Sequence, residues 1–361
     1  MKLSDFHYDL PQSRIAQHPC AQRDHARMMV LDRRRAHLEH RHFYDFPDFF
    51  QKGDVLVIND SKVIPARLSG TKETGSRIEL LLLSRHSDSL SIRNAERAES
   101  SPVLTGAEET WDVLLKPGKR VRIGTKIFFD DSNQATVIER ISEKKWRVSF
   151  STALPFDLFL QRFGKAPLPP YIKRKKEELS RPQDRERYQT IYARHPGSVA
   201  APTAGFHFSE AQFKTLQDRG VAIAPVTLHV GFGTFTPIET EEVEDHVMDA
   251  ESFSLSPESA ERINSARRVI AVGTTSTRVL ESAADDQGRV QPMSASSRLF
   301  IYPGYRFKRV DALLTNFHLP QSSLFLLVCA FAGKDFIFQA YSAAIQEEYR
   351  FYSYGDCMLI F

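Results

Sequence analysis

Cysteine is scarce in this 361-residue chain: three residues, Cys20, Cys329 and Cys357, with no CxxC pair among them. That excludes a disulfide framework and a cysteine-built zinc site, and it fits a reducing compartment. The first residues, MKLSDFHYDL, lack the apolar run of a secretory signal, so the expected location is the cytoplasm. Long hydrophobic runs are missing too. The most apolar stretch, LFLLVCAFA at 324–332, is far shorter than the roughly 20 residues of a membrane-spanning helix and reads as a buried core helix. Charge of one sign is not in excess: 48 basic against 45 acidic residues leave +3, so only local clustering of basic residues can argue for a polyanionic partner. No GxxxxGK[ST], HExxH or GxSxG occurs, which weighs against an NTPase, a zincin or an α/β-hydrolase. Thr236 stands where GxGxxG would need its last glycine, so the dinucleotide fingerprint fails as well.

What is present is the profile of a soluble globular protein, 42% hydrophobic and 26% charged, long enough for two domains at roughly 100–200 residues each. VLVIND at 55–60 reads as a buried strand delivering Asn59 and Asp60 to its end. From Arg67 to about Ser151, short β-rich runs (RIELLLL, SLSIR, TWDVLL, KIFF, ATVIERI, WRVSFS) alternate with turn residues, the pattern of a small barrel or sandwich. The second half alternates helix and strand. Ser209 with Gln212 forms a capping-box pattern ahead of a helix that Gly220 ends, and Ser256 followed by Pro257 opens another. AIAPVTLHV, RVIAVG and VDALLTNF are the intervening strands. The fold expected is a three-layer α/β domain with a largely parallel sheet, formed by 1–60 and 155–361, carrying a small antiparallel β-barrel as an insertion at 61–154. The hydrophilic stretch 84–110 is the expected mobile loop.

Ligands of α/β sheets bind beyond the carboxyl ends of strands. The candidate positions are therefore Asn59 and Asp60; His229, Gly231 and Gly233 in TLHVGFGTF; Thr274, Thr275, Ser276 and Arg278 in VGTTSTR; and Thr315, Asn316 and His318 in LLTNFHLP. His207, in SVAAPTAGFHFSEAQ, sits just before a helix start. Each position has a plain structural alternative: His207 caps its turn, the glycines form a bulge, and GTTS is an ordinary strand-to-helix junction whose free N–H groups nevertheless suit a phosphate or carboxylate. His37, His40 and His42 in HLEHRH lack further ligands at metal-binding spacing and read as a solvated surface segment. The basic run at 171–189 holds Lys173, Arg174, Lys175, Lys176, Arg181, Arg185 and Arg187 between Tyr171 and Tyr188. It reads either as a solvated face or as a contact to RNA phosphates with a tyrosine near a base.

Together these stretches resemble one family, the S-adenosylmethionine:tRNA ribosyltransferase-isomerases of queuosine biosynthesis. The resemblance runs through MKLSDFHYDLP, RDHARMMVLDR, GDVLVINDSKVIPARLSG, PLPPYIKR, ERYQTIYARHPGSVAAPTAGFHF, VTLHVGFGTFTPI, IAVGTTSTRVLES, FIYPGYRF, DALLTNFHLPQSSL and YRFYSYGDCMLI, in order over nearly the whole chain. It implies transfer and rearrangement of the ribosyl part of S-adenosylmethionine, consumed as co-substrate, onto the 7-aminomethyl group of a 7-deazaguanine (preQ1) in the wobble position of tRNAs with GUN anticodons. Adenine and methionine leave, and no metal is required.

Under that resemblance Asp60, His207, His229 and His318 are assigned to proton transfer, because an amine must lose a proton, a carbon beside the sulfonium must lose another, and adenine leaves more easily when protonated. Arg278 with Thr274, Thr275 and Ser276 is expected to hold an anion. Tyr188, Tyr192, Tyr302 and Tyr305 are candidates for stacking, Asn59, Arg67, Thr203, Gly231, Gly233 and Asn316 for further substrate contacts, and Lys173, Arg174, Lys175 and Lys176 for RNA. Asp249 stands where the family often has His, so position 249 receives no catalytic role. A monomer without membrane contact is expected. The rival classes are a methyltransferase and a non-catalytic RNA-binding protein.

Overall fold

The computed structural model describes residues 1–86, 108–174, 182–235 and 237–361. Lys175, Lys176 and Arg181, the expected strand SLSIR and most of the expected loop 84–110 fall outside the described residues. Two compact units are present, one made of Met1–Lys62, Pro169–Arg174 and Glu186–Phe361, the other of Val63–Leu168 with the described part of 175–185.

The first unit is built on a nine-stranded sheet in the order Met293–Ser297, Glu251–Leu255, Ala222–Leu228, Asp54–Asn59, Arg268–Val272, Ala312–Asn316, Cys357–Ile360, Arg27–Asp32, His37–His42. Asp54–Asn59 is buried at every position because both faces are covered. Its period of two sends Val55 and Val57 into a core with Ala224, Val226 and Leu228, and Leu56 and Ile58 into another with Phe43, Phe46 and Phe208. Asp54, at its start, is fully buried, and Arg267 and Arg268 each approach its carboxylate at 2.7 Å.

The sheet is mixed rather than largely parallel. Four central strands are parallel neighbours, whereas Glu251–Leu255 and Cys357–Ile360 run antiparallel to the strands inside them. Glu251–Leu255 follows its neighbour with no crossover helix, and Cys357–Ile360 follows two helices, so the chain returns in the opposite direction. Those two helices, Ser323–Ala332 and Lys334–Gln346, are bent 115° apart at Gly333, whose φ of +89° suits glycine. Among the described residues no single helix is long and apolar enough to cross a membrane.

The order of the central parallel strands determines where a ligand crevice can form. In the chain they run Asp54–Asn59, Ala222–Leu228, Arg268–Val272 and Ala312–Asn316, and in the sheet the second of them precedes the first. Connections therefore leave Asp54–Asn59 toward one side and then cross to Arg268–Val272 on the other. This reversal of direction opens a crevice outside the carboxyl ends of those two strands, the general location of ligand sites in such sheets. Asp60, His229, Gly273 and Phe317 all follow carboxyl ends at this one edge.

The second unit is a closed antiparallel barrel of six strands, ordered Lys145–Ser151, Glu108–Lys116, Arg77–Arg85, Arg67–Lys72, Lys126–Asp130, Asn133–Arg140. Closure removes the free sheet edges that a small antiparallel sheet would otherwise expose. The unit continues past the expected boundary at residue 154 because helix Phe156–Phe163 belongs to its core. Phe156 and Phe159 lie 5.3 and 6.1 Å from Phe150, and Trp111 stacks on Phe156 at 5.7 Å. Gly164 ends that helix where an added Cβ would meet the Pro65 carbonyl at 2.1 Å.

Candidate active site

A cleft lies at the strand-end crevice of the first unit. One wall is Thr203 with the small residues Ala201 to Ala204, another is Gly273, Thr274 and Thr275, and a third is Thr315, Asn316, Phe317 and His318. Tyr171, Tyr352 and Ser353 complete it.

Gly273 to Thr275 form the first turn of helix Gly273–Ala283, whose N-cap Val272 supplies no side-chain hydrogen bond. The opening N–H groups thus meet the cleft without a capping side chain, a local environment that favours negative charge. The Thr275 hydroxyl is buried there and finds no partner among the described residues. Thr277 is different, donating to the Gly273 carbonyl at 3.1 Å, so its hydroxyl serves the helix.

His318 follows the strand Ala312–Asn316 and is fixed on every side. Its backbone N–H donates to the Tyr341 hydroxyl at 3.0 Å, and its carbonyl accepts from the Tyr8 hydroxyl. The ring is bracketed by the Thr315 hydroxyl, 3.1 Å from Nε2, and by the Tyr341 hydroxyl, 3.4 Å from Nδ1. Burial pushes its pKa from 6.5 down to about 3, so the ring is neutral near neutral pH.

His207 does not line this cleft. It lies one hydrogen bond behind it, where Asn316 Nδ2 approaches His207 Nε2 at 3.2 Å and donates to the Asp356 carbonyl at 3.3 Å. The Asn316 Oδ1 accepts from Thr203 Oγ1 at 3.1 Å. A donor on Nε2 requires the neutral ring, in agreement with a pKa pushed by burial to about 3. The small residues before His207 have a second use: a Cβ on Gly205 would stand 2.0 Å from the Tyr192 hydroxyl.

His229 belongs to a neighbouring cluster. Asp60 accepts from Thr227 Oγ1 at 2.7 Å, and His195, which no sequence signal marks, brings Nε2 to 3.5 Å from its other carboxylate oxygen. Burial first, and then the His195 charge, lower the His229 pKa. Gly197 makes room for that ring. A Cβ there would lie 2.7 Å from His229 Nδ1, and its φ of +147° is strained for other residues. Gly197→Ala is expected to displace the ring and lower turnover with little loss of substrate binding. Steady-state kinetics beside a melting curve test this, and unchanged kcat would refute it.

Several expected contacts are otherwise engaged. Arg278 forms a buried ion pair with Glu251, which also accepts from Gly231 N–H at 2.9 Å, while Arg278 Nε and Nη2 are buried with no partner among the described residues; the uncapped helix terminus is the second candidate for an anion. Ser276 is fully buried and outside the cleft wall. Asn59 is a strand clamp, its amide donating to the Leu228 carbonyl at 3.0 Å and accepting Leu228 and Ser61 N–H. Tyr188 is buried edge-on against Phe206 and Tyr354, with no face for a base. Tyr192 packs on Phe208 and Phe213, Tyr302 on Phe300, and Tyr305 donates to Glu281 at 3.2 Å. Gly233 lets Asp249 approach, since a Cβ would stand 2.3 Å from its carboxylate. In the barrel unit Arg67 pairs with Glu79 at 2.9 Å and donates to the Leu168 carbonyl. Arg174 donates to the Gln17 carbonyl at 2.8 Å, whereas Lys173 is exposed.

The tyrosine rings at the cleft, among the described residues, are instead Tyr171 and Tyr352, in edge contact with centroids 4.0 Å apart. The turn in YRFYSYG before the last strand is the signal that could have found Tyr352: it has φ +74° and its N–H donates to the Phe317 carbonyl. Among the described residues no group of three or more His, Cys, Asp or Glu stands close enough to hold a metal ion. His40 hydrogen-bonds the Tyr349 hydroxyl at 2.9 Å and His42 stacks on Tyr44.

The two neutral, buried histidines tie stability to pH. Unfolded histidine protonates near pH 6.5 and these rings only near 3, so their contribution is full above about pH 6.5 and falls away toward 3, by roughly 1.4 kcal/mol per pH unit for each. Melting temperatures should drop across that window, and less steeply in His318→Gln. An equal slope in the variant would contradict the neutral ring.

A mixed α/β unit with a polar strand-end cleft, together with a separate closed barrel, defines an enzyme-like two-unit chain rather than a lone binding module. A family model described as "Queuosine biosynthesis protein" matches residues 3–360. The S-adenosylmethionine:tRNA ribosyltransferase-isomerase of Syntrophus aciditrophicus is 79% identical over all of this chain and 99% of that protein. The enzyme of the same name from Syntrophotalea carbinolica is 47% identical over the full length of both. A crystal structure of the S-adenosylmethionine tRNA ribosyltransferase from Thermotoga maritima shares 32% identity, with a TM-score of 0.53 over 99% of this chain and all of that one. The chain belongs to the queuosine biosynthesis family of S-adenosylmethionine:tRNA ribosyltransferase-isomerases.

Proposed function

We propose that this chain transfers and isomerises the ribosyl group of S-adenosylmethionine onto the 7-aminomethyl group of preQ1 in the wobble position of tRNAs with GUN anticodons. The products are epoxyqueuosine in the tRNA, free adenine and free methionine. The observation that carries this reading is the cleft itself: a neutral histidine, an uncapped helix N-terminus and two tyrosines converge at one strand-end crevice.

In this reading the methionyl carboxylate faces the N–H groups of Thr274 and Thr275, with the unpartnered Thr275 hydroxyl as an added donor. Tyr171 or Tyr352 flanks a flat base. The attacking amine gives up a proton as its new bond to the ribosyl group forms, and His318 Nε2 or Nδ1 is the acceptor in reach of the cleft. Asn316, held by His207, Thr203 and the Asp356 carbonyl, presents a fixed amide to the substrate. Asp60 and His229 supply the second proton-handling group needed for loss of the proton beside the sulfonium. The sulfonium is itself the electron sink for that step, so no metal enters it. The protein works as a monomer in the cytoplasm.

The test is to incubate the protein with S-adenosylmethionine and preQ1-bearing tRNA and to analyse free small molecules and digested nucleosides by mass spectrometry. Adenine and methionine together with an epoxycyclopentanediol nucleoside are expected. S-adenosylhomocysteine with a methylated nucleoside would move the protein to the methyltransferases, and tRNA binding without turnover would leave an RNA-binding protein.

A further inference from the structure

Ser353 is a wall shared by two recesses. On one side lies the cleft; on the other is a smaller, open recess formed by Arg23, Arg187, His207, Tyr354 and Cys20 with their neighbours. We propose that this second pocket holds a backbone phosphate of the RNA strand whose base enters the cleft, an inference that rests on the proposed tRNA-modifying function.

Two guanidinium groups line this pocket, and among the described residues neither pairs with a carboxylate. Arg23 donates to the carbonyls of Phe206 at 3.1 Å and Glu186 at 3.4 Å. Arg187 donates to those of Ala21 at 3.2 Å and Cys20 at 2.5 Å, while its Nε is buried with no partner among the described residues. Carbonyl dipoles aim both groups but neutralise neither. The nearby acids are engaged elsewhere: Asp24 accepts from Ser209 Oγ at 2.8 Å, and Asp356 takes the backbone N–H groups of Arg27 and Arg350. The exposed Glu186 carboxylate offsets only part of the charge. Burial, and next the Arg187 charge, lower the Arg23 pKa, so the two cations repel each other in a partly desolvated place. His207 on the same wall is neutral and adds no charge.

A doubly cationic recess of this kind matches an oxyanion that accepts from both forks at once, as phosphodiester oxygens do. The co-substrate carboxylate already has the helix terminus inside the cleft. A strand with one phosphate behind Ser353 and its base in front of it would be held in register for the reaction, since phosphate contacts set position without reading sequence. His207 then touches both recesses, lining the pocket and holding Asn316 at the cleft.

The experiment measures tRNA affinity across a salt series, and the KM for S-adenosylmethionine, for the wild type, Arg187→Gln, Arg187→Lys and Arg23→Gln. Arg187→Gln is expected to weaken tRNA binding about tenfold and to flatten the plot of log affinity against log salt by about one unit, because one phosphate contact is lost. Arg187→Lys should recover the slope but not the whole affinity, and the KM for S-adenosylmethionine should stay unchanged. Arg23→Gln carries the same expectation and decides the matter if loss of the Cys20 and Ala21 contacts destabilises the Arg187 variants. Unchanged tRNA affinity and slope in folded variants would overturn the proposal. So would a raised KM for S-adenosylmethionine with tRNA binding intact, which would make the pocket a carboxylate site. If the wild type binds tRNA but transfers no ribosyl group, the functional reading fails while the salt slope still decides the pocket.

Discussion

His318→Gln lowers kcat by roughly 10²–10⁴-fold, the loss expected when a positioned proton acceptor is removed. Glutamine keeps a polar, similarly sized side chain next to Thr315 and Tyr341, so the fold should survive; circular dichroism and a melting curve establish that before kinetics are compared. The KM for S-adenosylmethionine should change little, because the carboxylate is assigned to the helix terminus. The wild-type pH profile adds a second arm. A ring neutral above about pH 3 contributes no acid limb to kcat/KM between about pH 5 and 8. An acid limb in that range which disappears in His318→Gln would show that the free enzyme holds His318 in a different state. Near-normal kcat in the variant would remove it from the chemistry altogether.

The second large effect is on stability. Arg278→Met leaves the Glu251 carboxylate buried without its cation and should cost roughly 3–5 kcal/mol, whereas replacing both partners by apolar residues should restore most of that. Denaturant unfolding of the two single variants and of Arg278→Met with Glu251→Leu measures it as a double-mutant cycle. Gly231 N–H also donates to Glu251, so the double variant forfeits that one bond and should fall slightly short of the wild type. The opposite pattern, a stable Arg278→Met with a greatly raised KM for S-adenosylmethionine, would return Arg278 to the substrate.

These two residues show where sequence reasoning succeeds and where it stops. His318 and Arg278 each follow a buried strand of an α/β pattern, which is what marks them in the sequence, and both do stand at the same sheet edge. Only His318 lines the cleft. The difference is Glu251, which lies 27 residues from Arg278 and points inward from a flanking antiparallel strand that no helix announces. The same holds for the histidines. His207 is marked by the small residues around it, yet its ring ends up behind Asn316, because Phe43 and Phe208 fill one side of its turn and the cleft opens on the other.

The sequence by itself determined the local elements. Ser209 and Ser256 cap their helices as their spacing predicts, accepting from Gln212 and Ser259 N–H, and the continuous apolar run 55–58 forms the doubly covered central strand. It determined also which polar residues would arrive at strand ends, since that depends on a few neighbouring positions. Tertiary structure alone decided which of them face a common space. Tyr8 reaches the His318 carbonyl from 310 residues away, His195 meets Asp60, and Tyr171 meets Tyr352 and Ser353 across half the chain. Such pairings leave no local period or cap behind them, because a cleft is defined by burial and by the meeting of loops from distant segments, and burial is a property of the packed whole.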